Sequence, residues 1–75
     1  MMSFERFKND FYSRAWPRAK AEGQRKGQAA YNHLWLIYPE MAKKIAGSKY
    51  DPFYQDSILP LFWTEVACLF VEKGL

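Results

Sequence analysis

The stretch Ser57-Ile-Leu-Pro-Leu-Phe-Trp-Thr-Glu-Val-Ala-Cys-Leu-Phe-Val-Glu-Lys73 decides the fold. Asp56 or Ser57 can cap a helix, and Pro60 then falls in its first turn, where proline is tolerated. Apart from one polar stripe, the helix is apolar around nearly its whole circumference, which is typical of a helix buried inside a domain. We therefore predict an all-α fold, a small bundle of four to five short helices with the last helix at its centre.

The chain is short for so apolar a helix. Its 75 residues make a single helical domain, residues 1–75, and 19% of them are aromatic. A domain of this size buries only about 60% of the surface that its unfolded chain exposes. Each aromatic ring needs roughly 150–250 Å² of cover. We therefore expect another macromolecule to cover part of this surface, and homodimerisation through the last helix is one way to do so.

Other helices precede the last one. One runs from about residue 25 to residue 38 and is ended by Pro39, and the next stops at Gly47. Residues 1–22 form a basic amphipathic helix, kinked or broken near Pro17 because proline cannot donate to the helix ladder. A core of residues 25–75 carries the recognisable motifs. No segment alternates apolar and polar residues as a strand does.

The connection that joins residue 47 to the last helix contains turn-forming residues and is predicted to be a loop. It nevertheless contains Phe53, which we expect to tuck into the core between the last helix and Leu34 or Trp35. On the preceding helix, Arg25, Gln28 and Asn32 recur at steps of three and four and so share one face. This polar row can bind a partner, or it can tie the helix to the loop.

The spacing of these residues resembles that of small proteins from tailed bacteriophages and prophages. The shared pattern is Arg-x-Gly-Gln-x-x-x-Asn, then Pro-Glu, then Asp-Pro-Phe-Tyr-x-Asp before an apolar segment. It spans roughly residues 25–63, and the matching positions are Arg25, Gly27, Gln28, Asn32, Pro39, Glu40, Asp51, Pro52, Phe53, Tyr54 and Asp56. The resemblance implies a phage origin and residence in the host cytoplasm, and it implies no chemistry.

The polar row on the helix is more consistent with contacts inside the fold than with binding to a partner. Asp51 and Asp56 belong to the same pattern as the row on the helix. We therefore predict a structural polar cluster of Arg25, Gln28, Asn32, Asp51 and Asp56, while binding to a partner remains the alternative.

No set of residues predicts catalysis, so we expect a protein that is not an enzyme. His33 and Cys68 are the only histidine and cysteine, and no signature links them. Glu65 and Glu72 lie two turns apart without a third ligand, so no metal is expected. No phosphate loop is present, and no cofactor is predicted. The last helix is too short and too interrupted by Glu65 to span a bilayer, so no membrane partner is expected.

Charge is concentrated in the first part of the chain. Residues 1–28 contain seven basic and three acidic side chains, within a net charge of +3 for the whole chain. Such a segment can contact phosphate or an acidic protein surface, or it can be an ordinary solvated helix face.

The first hypothesis is a phage-encoded factor that binds a host protein of the defence, transcription or replication machinery and inhibits or modulates it by occlusion. Its predicted partner-binding residues are aromatic anchors and nearby basic side chains, which suit interface hot spots: Arg14, Trp16, Arg18, Lys20, Tyr31, Trp35 and Tyr54. The alternative is a small basic nucleic-acid-binding protein that uses Arg14, Arg18, Lys20, Arg25 and Lys26. A third hypothesis is a structural component of the virion.

Overall fold

The computed structural model describes residues 2–74, and the regular structure in this part of the chain is helical throughout. The elements in chain order are α1 (Phe4–Asp10), a π-helical turn (Phe11–Ala15), α2 (Trp16–Ala21), α3 (Lys26–Ile37), α4 (Pro39–Ile45), a 3-10 turn (Asp56–Ile58) and α5 (Leu59–Glu72). The all-α prediction is confirmed. Pro39 begins α4 directly after α3, as its missing N–H and fixed φ favour.

The first helical run, which comprises α1, the π turn and α2, passes Pro17 without a break. Of the two predicted forms, a kink or a break near Pro17, the break is not found. The irregularity is instead a π turn, in which the amide of Trp16 donates to the carbonyl of Phe11 five residues back. A π turn adds one residue to a helix, and this wider turn comes just before the residue that cannot donate. Pro17 thereby falls in the first turn of α2, where a missing N–H costs little.

The core is built from apolar residues of every α-helix. Its buried members are Phe7, Phe11, Ala19, Ala29, Ala30, Leu34, Met41, Ala42, Ile45, Leu59, Phe62, Trp63, Val66, Leu69 and Phe70. Six of these fifteen lie on α5, which contributes more of them than any other helix. The opposite face of α5 is exposed, with Leu61 and Val71 in contact with solvent. The last helix is therefore buried on one face, although its sequence is apolar nearly all round.

Aromatic rings cover one another inside this small fold. Phe7 lies against His33, Tyr38, Trp63 and Phe70, with ring centroids 4.7–6.3 Å apart. Tilted and edge-to-face contacts of this kind stabilise a core beyond the area that they bury. Of the fourteen rings in the sequence, three are exposed, those of Tyr12, Trp35 and Tyr54. The chain therefore covers far more of its aromatic surface than the composition suggested.

Candidate functional site: the groove beside helix α3

The amino terminus of α3 is capped by a residue from a distant loop. Arg25 occupies the cap position, but its side chain makes no capping hydrogen bond. Instead, Oδ1 of Asp56 accepts a hydrogen bond from the amide of Gly27 at 2.9 Å. A carboxylate at this end of a helix satisfies a free amide and also meets the positive end of the helix dipole.

Arg25 also links the amino end of α3 to the loop that carries Asp56. Its Nη2 donates to the carbonyl oxygen of Phe53 at 2.6 Å, and its Nη1 lies 3.7 Å from Oδ1 of Asp56. Gly27 allows the two segments to approach this closely. A Cβ at Gly27 would collide with the carbonyl oxygen of Pro52 and would lie 2.9 Å from Oδ1 of Asp56. The position therefore requires glycine.

Asp51 stabilises the turn of the loop that contacts the amino end of α3. Its Oδ1 accepts a hydrogen bond from the amide of Phe53 at 2.9 Å, and its Oδ2 accepts one from the amide of Gly47 at 2.8 Å. Pro52 between them is fully buried. Phe53 was expected in the core, and this expectation is wrong: the ring is half-buried and meets Tyr31 edge-on, with centroids 6.0 Å apart.

The predicted polar cluster is therefore divided among several contacts. Arg25 and Asp56 meet at the end of α3, and Asp51 organises the loop that carries Asp56. Asn32 instead contacts Gln24, with its Nδ2 donating to Oε1 at 3.4 Å. Gln28 is half-buried and takes no part in the side-chain hydrogen bonds found among residues 2–74. Within this cluster, Arg25, Asp51 and Asp56 make their contacts inside the fold.

A groove of about 440 Å³ lies between the first helical run and α3. Its first wall is formed by Asp10, Arg14, Ala15, Arg18, Ala19 and Glu22. Its second wall is formed by Gln24, Ala29, Asn32, His33, Leu36 and Ile37. Its lining combines apolar and polar side chains, which is typical of a surface that receives a side chain or a peptide segment.

Three consecutive apolar residues at the carboxyl end of α3 are exposed, and two of them line this groove. Leu36 is 77% exposed and Trp35 is 47% exposed, and Ile37 also contacts solvent. Leu36 and Ile37 line the groove itself. Neither residue was among those predicted to bind a partner. Three adjacent large apolar residues span about 200° of a helix, too wide an arc for one core to cover, and this was the available signal.

Two predicted partner-binding residues, Arg14 and Arg18, are exposed on the first wall of the groove. Trp35 is exposed on α3 but is not among the lining residues. Lys20 is exposed on α2 and is not among the lining residues. Tyr54 is exposed on the loop that approaches the other end of α3.

The remaining two predicted binding residues are used inside the fold. Trp16 is half-buried, with its ring stacked on Phe11 at 6.3 Å between centroids. Tyr31 is half-buried, and its hydroxyl donates to the carbonyl of Ala42 at 3.0 Å. Burial, together with the negative charge of Asp51, raises the pKa of Tyr31 above its ordinary value. Both rings therefore serve packing.

His33 forms part of the groove but has little freedom to react. Its ring stacks on Phe7 at 4.7 Å, and its Nε2 is buried without a hydrogen-bond partner. Burial lowers the pKa of His33, while the charge of Asp10 and the backbone of Phe7 act in the opposite direction. Cys68 is exposed on the outer face of α5. His33 is therefore a partly buried residue whose ring favours the neutral form.

Two of the basic residues considered for phosphate contact are engaged within the fold. Arg25 is engaged by Phe53 and Asp56. The Nζ of Lys26 lies above the rings of Trp16 and Tyr12, at 5.6 Å and 5.9 Å from their centroids. This leaves Arg14, Arg18 and Lys20 as the exposed members without such contacts, and two of them line the groove.

Other kinds of site have little support within residues 2–74. No group of three or more histidine, cysteine or acidic side chains there is arranged to hold a metal ion. None of the helices in that range combines the length and the apolar character needed to cross a membrane. Comparison with protein-family models, curated proteins and solved structures finds no match for the chain.

Proposed function

We propose that this protein binds another protein through the groove beside α3 and blocks part of that partner's surface. The observation that carries the proposal is the exposed apolar pair Leu36 and Ile37, which line the groove. Large apolar side chains that remain exposed next to a concave surface mark sites of interaction. Arginine, present on the other wall as Arg14 and Arg18, is also among the residues that most often dominate binding energy at interfaces.

The dimensions of the groove suit one secondary-structure element of a partner. Its first wall extends from Asp10 to Glu22, which corresponds to about 18 Å along a helix. This length matches roughly three turns of a partner helix. The proposed mode of action is therefore occlusion by a small docking surface.

The resemblance to tailed-phage proteins supplies the specific form of this proposal. We infer that the partner is a host protein of the defence, transcription or replication machinery, and that the chain inhibits or modulates it in the host cytoplasm. Binding to nucleic acid is the less favoured alternative because Asp10 and Glu22 lie in the same row as Arg14 and Arg18. Acidic residues at both ends of the row repel a phosphate backbone.

Homodimerisation through α5 is a separate proposal about the oligomeric state. Leu61 and Val71 are its exposed apolar residues, and they are about 15 Å apart along the helix. Thr64 and Cys68 lie exposed between them. Sedimentation of the purified chain over a range of concentrations tests the proposal, and a monomer at all concentrations contradicts it.

A matched pair of variants tests the groove. Leu36 and Val71 are each 77% exposed, and each lies one residue before the end of its helix. Replacing either by aspartate therefore carries a similar small cost in folding free energy, about 0.3–1 kcal/mol, from the helix dipole. In pull-downs from host lysate, we expect wild type and Val71→Asp to retain a common protein partner that Leu36→Asp loses.

The possible outcomes separate the hypotheses. Loss of the partner in Val71→Asp alone would assign binding to α5 and contradict the groove proposal. Retention in both variants would contradict it as well. Recovery of nucleic acid alone, released as the salt concentration rises, would favour the alternative function.

A further inference from the structure

The first wall of the groove carries a symmetric order of charges. Asp10, Arg14, Arg18 and Glu22 recur at steps of four, so the two arginines lie at the centre and the two acidic residues lie at the ends. All four line the groove. Neither arginine takes part in the ion pairs found in the described part of the chain. Within residues 2–74, the two positive charges at the centre of the wall are therefore not in direct contact with a carboxylate.

The facing wall does not supply the missing carboxylates. Lys26–Ile37, the whole of α3, contains no acidic residue. The polar residues that α3 contributes to the groove are Asn32 and His33, and Gln24 precedes the helix. Beyond them, Leu36 and Ile37 give this wall an apolar end. An occupant thus meets positive charge on one side and apolar surface on the other.

A second copy of the chain is poorly suited to this groove. An in-register two-fold arrangement of the first wall places Asp10 against Glu22 and Arg14 against Arg18. Both pairings bring like charges together, and such juxtaposition costs free energy at an interface. The charge order therefore favours a different partner.

We propose that the groove binds an acidic amphipathic segment of its partner protein, with two carboxylates about four residues apart facing Arg14 and Arg18. One helical turn separates such carboxylates, which matches the separation of the two arginines along their helix. The apolar face of the same segment contacts Leu36 and Ile37. This inference rests on the proposed function and adds the chemistry of the segment that is bound.

The same arrangement distinguishes a peptide from a phosphate chain. A nucleic acid presents a negative charge at every nucleotide, so its backbone would meet Asp10 and Glu22 as well as the arginines. A peptide can place basic or neutral residues opposite those two positions. Leu36, exposed at the groove, also favours an apolar contact that a phosphate backbone does not make.

The test uses synthetic peptides of about 14 residues, enough for roughly 21 Å of helix. One peptide carries leucines on one face and two glutamates four residues apart on the adjoining face. The second has glutamine in place of both glutamates, and the third has lysine. Binding of each to the full chain is measured by fluorescence anisotropy at low and at high salt.

We expect the glutamate peptide to bind wild type more tightly than the glutamine peptide, and the lysine peptide to bind most weakly. The double variant Arg14→Glu/Arg18→Glu should bind the glutamate peptide about tenfold or more weakly than wild type, because two attractions become repulsions. The same variant binds the lysine peptide more tightly than wild type does. A variant that had merely lost its fold would not show this exchange of preference.

The double variant Lys43→Glu/Lys44→Glu is the matched control, since both lysines are exposed on α4 and neither lines this groove. It changes the net charge by the same amount and should leave the order of the three peptides unchanged. Equal binding of all three peptides to wild type, lost in Leu36→Asp, would overturn the acidic preference while the proposed function stands.

Two further outcomes overturn the inference in different ways. In the first, no peptide binds, but capture of the partner from lysate still depends on Leu36. The inference of an acidic segment is then wrong, and the groove remains the binding site. If no peptide binds and capture does not depend on Leu36, the proposed function fails with it. Tight binding of oligodeoxythymidylate that is lost in Arg14→Glu/Arg18→Glu would assign the arginines to nucleic acid.

Discussion

The two ends of α3 differ in how completely the fold uses them. At the amino end, Asp56 caps the amide of Gly27 at 2.9 Å, and Arg25 donates to the loop at 2.6 Å. At the carboxyl end, Leu36 is 77% exposed beside an open groove, and Trp35 next to it is 47% exposed. One end is therefore closed by internal contacts, whereas the other offers surface to a partner.

Residues at the amino end of α3 stabilise the fold, whereas residues at its carboxyl end are exposed and available for binding. The spaced motif described in the sequence includes Arg25, Gly27 and Asp56, and these three form the closed end. Leu36 lies outside that pattern. A spaced motif of polar residues and glycine can thus arise from the needs of one loop-to-helix contact, and the surface available for binding lies elsewhere on the same helix.

The largest effect that we expect at the closed end follows from Gly27→Ala. The added Cβ meets a backbone oxygen of Pro52, which cannot rotate away, and a carboxylate oxygen of Asp56 at 2.9 Å. We expect the free energy of unfolding to fall by about 2–3 kcal/mol, as for overpacked positions that force a backbone shift. Urea denaturation followed by tryptophan fluorescence measures this change.

Gly23→Ala is the control for that variant. Gly23 has a φ of 84° but no atom within 4 Å of an added Cβ. Its replacement should therefore cost only the left-handed backbone conformation, about 1–2 kcal/mol. A loss for Gly27→Ala no greater than that for Gly23→Ala would show that the close approach of the loop to α3 contributes little.

A smaller loss is expected when the cap of α3 is removed. Asp56→Ala leaves the amide of Gly27 without its acceptor and should lower the free energy of unfolding by about 1–2 kcal/mol. Asp56→Asn keeps an oxygen acceptor and should lose less. The ion pair between Arg25 and Asp56 is half exposed, and its separation of 3.7 Å is longer than a hydrogen bond. The contribution of this pair to stability should therefore change little in Arg25→Lys. Equal losses for the alanine and asparagine variants would contradict a capping role.

The smallest effect concerns His33, on the side of α3 that lines the groove. The pKa of His33 in the folded chain is lowered from 6.5, chiefly by burial. The unfolded chain therefore holds the proton more tightly, and the free energy of unfolding falls as the pH drops from 6.5 towards the folded-state pKa. Above pH 6.5 this contribution is fully present.

His33→Gln removes the only histidine of the chain. Denaturation at several values between about pH 5.5 and pH 7.5, where carboxylates remain largely ionised, should show a flatter dependence for the variant than for wild type. Parallel curves for the two proteins would mean that His33 titrates in the folded chain as it does in the unfolded chain.

Several local features could be predicted because they depend on near neighbours in the sequence. Pro39 ends one helix and begins the next through its missing N–H and fixed φ. The meeting of Arg25 and Asp56 was also foreseeable, since opposite charges occur in segments that the motif linked. By contrast, Pro17 could not be settled from propensity alone, because a π turn before it keeps the helical run continuous.

The groove could not be predicted from periodicity. Ile37 recurs with Leu34 at a helical spacing that favours the core, yet Ile37 contacts solvent while Leu34 is fully buried. Which of them is covered depends on where neighbouring helices end and how they cross, and a helical spacing contains no information on either. The same limit applies to α5, whose apolar circumference exceeded the surface that its neighbours could cover.

The sequence by itself determined that this chain is helical and where most of its helices begin and end, because caps, prolines and apolar spacing act over a few residues. It also indicated a contact between Arg25 and an acidic residue of the loop, but not the cap that Asp56 forms on the amide of Gly27. Only the tertiary structure decided which apolar residues stay exposed and which arginines face an unfilled groove. Packing sets both, since burial depends on the arrangement of all the helices together rather than on any one of them.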